Sequence, residues 1–186
     1  MKDIDIIKLY FARSEKAIEE TDRKYGGYCT AIAENILHSK QDSEECVNDT
    51  YLKAWESVPP NKPQNLRTYL GRITRNLAIN RYKKYTAGKR GGYEVDVIFS
   101  ELEGCIPSGL SVEKQIDEKL IIRLLEEFLK DQSDIKRNIF LRRYWYCETV
   151  SQIAEDFSVS ESKVTSLLYR MRLKLREKLE KEGISV

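Results

Sequence analysis

Apolar residues recur every three to four positions through most of the chain, the spacing of amphipathic helices. Ile4, Ile7, Phe11 and Ile18 predict a first helix, and Tyr25, Tyr28/Cys29, Ile32 and Ile36 a second. A third follows with Asp42 as its cap, Glu45 three residues later, and a seam of Val47, Thr50/Tyr51, Ala54 and Val58. Pro59, Pro60 and Pro63 end it, because proline lacks the N–H that a helix interior needs. A fourth helix is predicted from about Leu66 to Tyr85, with the seam Leu66, Leu70, Ile73 and Leu77. The second half predicts helices near residues 112–130, 133–146, 149–157 and 160–181. Thr149-Val-Ser-Gln152 has the capping-box pattern. Ser158 and Val159 leave room only for a tight corner, so the last two helices read as a helix-turn-helix. No strand is predicted. The expected fold is all-α, with two small helical domains (residues 1–86 and 112–186) joined by a flexible acidic linker at 87–111. The Gly and Pro content of that segment motivates the linker assignment.

Length and composition agree with this division. The chain has 186 residues, 41% hydrophobic and 33% charged, as in a globular protein. No apolar run reaches the roughly 18 residues of a membrane span. The N-terminus lacks the apolar stretch of a signal peptide, so a cytoplasmic location without membrane contact is expected. Cys29, Cys46, Cys105 and Cys147 are widely separated and His38 is the single histidine. No metal site and no cofactor are therefore expected. Cys29 and Cys46 read as core residues, and His38 as a helix-end residue. Gly88-Lys-Arg-Gly-Gly92 fails as a phosphate loop: Lys89 precedes an arginine and position 83 is a lysine. No catalytic constellation emerges, so the chain is not expected to be an enzyme.

Charge distribution carries more information than the net +2. From Ser57 to Tyr93 there is no acidic residue, while Lys62, Arg67, Arg72, Arg75, Arg81, Lys83, Lys84, Lys89 and Arg90 are all basic. The sign reverses from Glu94 to Glu118, then turns basic again from Lys163 to Lys181. Two basic surfaces separated by an acidic segment indicate two contacts on one polyanion. On the last helix, Val164, Leu167, Leu168, Met171, Leu175 and Leu179 share one side. Ser162, Thr165, Ser166 and Tyr169 lie opposite, edged by Lys163 and Arg170. Short polar groups near a helix start suit a major groove, and cations suit phosphates. Arg172, Lys174, Arg176 and Lys178 lie further along, placed for DNA backbone. On the fourth helix, Arg72, Asn76, Asn80 and Lys83 form one stripe joined by Tyr69, while Tyr82 and Tyr85 add aromatic surface. Amides, aromatic faces and cations together suit unpaired DNA.

These motifs resemble bacterial sigma-70-type factors. Asp42-Ser-Glu-Glu-Cys-Val-Asn-Asp-Thr-Tyr-Leu-Lys-Ala-Trp55 is similar to their polymerase-binding helix. Leu66 through Tyr82 is similar to their −10 helix. Phe140-Leu-Arg-Arg-Tyr144, Ile153-Ala-Glu155 and Val164–Arg172 resemble their −35 domain. The short layout resembles the extracytoplasmic-function group. The resemblance implies an alternative sigma factor that directs core RNA polymerase to promoters and assists DNA melting. It implies that Glu45, Asn48, Asp49, Lys53 and Trp55 dock on the β′ clamp helices, with a further contact to the β subunit. By the same resemblance, Asn76 and Asn80 lie near the flipped, unpaired −10 base, beside a pocket shaped by the Pro59–Asn65 loop; Tyr69, Arg72 and Lys83, on the same stripe, are expected to join them in holding single-stranded −10 DNA. Thr165, Ser166, Tyr169 and Arg170 match positions facing the −35 duplex, and Ser162 and Lys163, on the same helix face, are expected to join them. An anti-sigma partner is implied too. Asn48 stands where the family often has Gln, Leu167 where a basic residue is usual, and Ser158 where glycine is usual. The competing readings are a dimeric helix-turn-helix regulator and a helical protein-interaction module.

Overall fold

The computed structural model of the protein describes residues 1–86, 94–103 and 115–184. Among them the regular elements are all α-helices, as the periodicity predicts. They are α1 (Asp3–Phe11), α2 (Lys16–Leu37), α3 (Lys40–Ser57), α4 (Leu66–Thr86), α5 (Glu94–Glu103), α6 (Gln115–Lys130), α7 (Asp134–Tyr144), α8 (Val150–Asp156) and α9 (Glu161–Lys181). They fall into two units, Met1–Arg90 and Gly91–Val186.

In the first unit α2, α3 and α4 pack on one another and α1 packs on α2. The expected first helix is two elements. Arg13 takes a left-handed φ of 52° and ends α1, so Ile18 belongs to α2. The seven-residue gap from Phe11 to Ile18 matches a helical period without being one helix. His38 is indeed a helix end: it caps α2 at φ 50° and its N–H reaches the Glu34 carbonyl. The cap of α3 lies three residues before the expected Asp42. Ser39 is the N-cap, and its hydroxyl accepts from the Asp42 N–H at 3.3 Å. Asn65 does the same for α4, accepting from the Thr68 N–H at 2.9 Å.

The core contains Tyr10, Cys29, Ile32, Ile36, Cys46, Leu66 and Leu70, all fully buried. Burial pushes the Cys46 thiol up to about 11, so it stays protonated at neutral pH. The buried face of α4 differs from the expected seam. Leu66 and Leu70 continue into Thr74, Ala78 and Tyr82, while Ile73 and Leu77 are only partly covered. Buried Thr74 accepts from the Thr50 hydroxyl at 3.1 Å and donates to the Leu70 carbonyl at 2.9 Å. A satisfied hydroxyl can therefore occupy a core position that periodicity assigns to an aliphatic residue. Tyr82, expected at the surface, is buried. Gly71 permits close approach of α4 to α2: a Cβ there would run into the Tyr28 ring and hydroxyl.

In the second unit α9 packs against α6, α7 and α8 through Val164, Leu168, Met171, Leu175 and Leu179, as expected. Leu167 is only partly covered. Thr149 and Gln152 form the expected capping box, and the Ser160 side chain caps α9. The α8–α9 corner turns at Ser158, which has φ 52°. That conformation is unfavourable for a residue with a Cβ. Ser158 is exposed, so S158G is expected to stabilise this unit by roughly 0.5–1 kcal/mol, read as a higher denaturation midpoint.

Part of the segment read as linker is structured. Residues 94–103 form α5, which packs on α7 with Val95 and Ile98 fully buried. Its pattern is short and mixed with acids, which hides an apolar stripe of only a turn or two. The remainder of 87–111, with the Gly88–Gly92 motif and Cys105, lies outside the described residues, as do the first residues of the helix expected at 112.

Candidate nucleic-acid interface

The site in the first unit is built on the outer faces of α3 and α4. On α4, Arg72, Asn76, Asn80 and Lys83 are all exposed and follow one another at helical spacing. Asn76 and Asn80 make no side-chain hydrogen bond among the described residues. An amide in mid-helix is ordinarily bound to the backbone or a neighbour, or simply solvated. Here two such amides stand in line between two cations. Tyr69 is half-buried, and its hydroxyl donates to Ser57 Oγ at 2.7 Å. The Arg72 guanidinium lies 5.6 Å from the centre of the Tyr69 ring. This contact places a cation and an aromatic face at the end of α4 nearest the Pro59–Asn65 loop. Tyr85 is exposed and donates to Asp42 Oδ1 at 3.2 Å, which raises its hydroxyl pKa.

Five residues of α3 were expected to dock on a partner. Glu45, Asn48 and Lys53 are exposed, while Asp49 and Trp55 are partly covered. Lys53 pairs with Glu56 at 2.8 Å. The Trp55 ring packs on Tyr10 and lies 5.4 Å beneath the Arg13 guanidinium, which also donates to the Trp55 carbonyl at 2.6 Å. Trp55 thus fastens the end of α3 to the α1–α2 corner. Leu52, absent from the expected set, is 53% exposed one turn after Asn48. An exposed leucine next to an unbonded amide gives this face an apolar contact. Its register, four residues from Asn48, was available in the sequence.

Glu45 and Asp49 are joined through Arg81, which lies beside the Arg72–Lys83 stripe. Arg81 of α4 donates to Glu45 Oε2 at 2.8 Å and to Asp49 Oδ2 at 2.9 Å. Burial opposes the charge on this guanidinium, but the hydrogen bond to Glu45 and the nearby carboxylates raise its pKa overall.

In the second unit Ser162, Lys163, Thr165, Ser166, Tyr169 and Arg170 are all exposed along the first three turns of α9. Thr165 donates its hydroxyl to the Glu161 carbonyl at 2.9 Å, leaving its oxygen free to accept. Arg170 Nε donates to the Ser166 carbonyl at 3.1 Å. Of the cations further along, three have acidic partners. Arg176 Nε lies 2.8 Å from Glu180. Arg172 is held by Glu101 Oε2 at 3.0 Å and by the Tyr144 hydroxyl. Lys178 lies 3.4 Å from Glu127. Lys174 remains exposed. The cations without an acidic partner among the described residues therefore include Lys163 and Arg170 in the first half of α9.

No group of His, Cys, Asp and Glu capable of holding a metal occurs among the described residues. No described helix is long and apolar enough to cross a membrane.

Residues 22–87 match Sigma-70 region 2. The matched stretch contains α3, α4 and most of α2, hence both faces just described. This domain supports a sigma-70 family sigma factor, with a role in promoter recognition and melting by RNA polymerase. It supports binding to core RNA polymerase and to promoter DNA. No curated protein matches the chain.

Proposed function

We propose that the chain is an alternative sigma factor of the extracytoplasmic-function type. It docks on the polymerase β′ clamp helices through the outer face of α3, with Asn48 and Leu52 at its centre. It captures unpaired −10 bases along Arg72, Asn76, Asn80 and Lys83, and reads the −35 duplex through the first turns of α9. A second polymerase contact is made with the β subunit. An anti-sigma protein that covers α3 would block docking, and one that covers α4 would block base capture.

The observation that carries this reading is the pair of exposed, unbonded asparagines on α4, within the stretch that matches Sigma-70 region 2. A protein that only reads duplex DNA has no use for them. Single-stranded bases present edges that amides can pair with and faces that Tyr69 can meet. Binding energy gained on flipped bases offsets the few kcal/mol of unpairing and unstacking.

The test is co-elution of the full chain with bacterial core RNA polymerase. The native chain is expected to co-elute, and N48K/L52K to bind at least about tenfold more weakly, because an interface centre tolerates unpaired charge poorly. Both positions are exposed, so the variant should fold. Failure of the native chain to bind a cognate core, together with tight duplex binding as a symmetric dimer, would favour the helix-turn-helix regulator instead.

A further inference from the structure

The docking face and the strand-capturing face share one ionic seam. Glu45 and Asp49 stand one turn apart on α3, and the two arms of the Arg81 guanidinium reach one carboxylate each. Arg81 Nη1 also lies 3.3 Å from the Asp42 carbonyl, and Tyr85 donates to the Asp42 carboxylate one turn further along α4. A planar fork held at two successive turns restrains both rotation and sliding of one helix against the other. Deeper in the same interface the Thr50–Thr74 hydrogen bond gives a second fixed point. Arg81 follows Asn80 directly, so restraining Arg81 sets the direction in which the Asn76–Asn80 face points.

The seam is also accessible. The side chains of Glu45 and Asp49 are 58% and 49% exposed, whereas that of Arg81 is 20% exposed. In water such pairs are weak and screened by salt. A partner seated on α3 would cover the carboxylates, exclude solvent and strengthen the bridge. We propose that Arg81 is a positioning residue that holds the strand-capturing helix in register with the docking helix, most firmly once polymerase is bound. The proposal rests on the reading of α3 and α4 given above. Arg81 does not touch DNA in this scheme. It acts through Asn76 and Asn80.

The experiment uses the full chain with core polymerase and a promoter that the native complex opens. Arg81→Gln is expected to leave the thermal midpoint of the free chain nearly unchanged and polymerase affinity within about threefold. At saturating chain, promoter opening should slow by about threefold to tenfold. Arg81→Lys should fall between, because an ammonium is a point charge without the two-armed fork. In a Glu45→Gln/Asp49→Asn background, compared at saturation, Arg81→Gln should add little, since its partners are already weakened. The salt dependence of DNA binding should keep its slope.

Unchanged opening by Arg81→Gln would overturn the proposal while leaving the sigma reading intact. So would the same loss in the background lacking both carboxylates. A slope reduced by about one phosphate would make Arg81 a direct DNA contact and likewise overturn it. If the native chain does not bind polymerase at all, the sigma reading fails and the proposal falls with it.

Discussion

Replacing Glu101 with alanine is expected to destabilise the second unit by about 3 kcal/mol, a large share of what a small domain possesses. Three groups converge on this one carboxylate. Glu101 Oε1 accepts from Arg143 at 3.1 Å, and Oε2 accepts from Arg172 at 3.0 Å and from the Tyr144 hydroxyl at 2.9 Å. Arg143 is 1% exposed and also donates to the Glu148 carbonyl at 3.1 Å. Removing Glu101 takes a counter-ion from a buried guanidinium, and weakening the compensation of a buried charge costs more than the intact pair contributes. Burial already raises the Tyr144 pKa, so its hydroxyl stays protonated and cannot replace the lost negative charge. The measurement is chemical denaturation followed by Trp145 fluorescence in a Trp55→Phe background, so that the signal reports this unit alone. Asp96, exposed on the same helix, is the control, and Asp96→Ala should change stability by less than about 0.5 kcal/mol. Equal effects at the two positions would show that α5 contributes helix and not a specific counter-ion.

Glu101 also shows where sequence reasoning stops. The helix-turn-helix and its capping box were legible because they depend on neighbours in the chain, Thr149 with Gln152. Glu101 and Arg172 are 71 residues apart, and nothing local distinguishes this acid from the others around it. An acidic segment reads as solvated until the buried arginine it neutralises is placed beside it. The same limit hid Arg81. Its charge was counted with the basic stretch, yet its partners lie 32 and 36 residues earlier on α3. The faces of α4 and α9 were legible because exposure follows helical period. The α4 seam drifted by one position at Thr74, where a hydroxyl satisfied by Thr50 and Leu70 occupies the core.

The asparagine pair offers the clearest separation of function from stability. Replacing Asn76 and Asn80 together with alanine is expected to reduce promoter opening by roughly tenfold to a hundredfold, taking about 0.5–1.5 kcal/mol for each lost amide contact. Folding stability should not fall. Both side chains are exposed, neither makes a hydrogen bond among the described residues, and alanine favours a helix interior over asparagine by up to about 0.7 kcal/mol per site. The variant should therefore melt at the same or a higher temperature while opening DNA less well. Polymerase affinity should be unchanged, because α3 is untouched. A structural role predicts the opposite pairing, a lower melting temperature with loss of opening in proportion to the unfolded fraction. Permanganate reactivity of unpaired thymines at the promoter, measured at saturating chain, distinguishes the two. Unchanged reactivity would move base capture off this face of α4, leaving the exposed amides as solvated surface and the Sigma-70 region 2 match as support for docking alone.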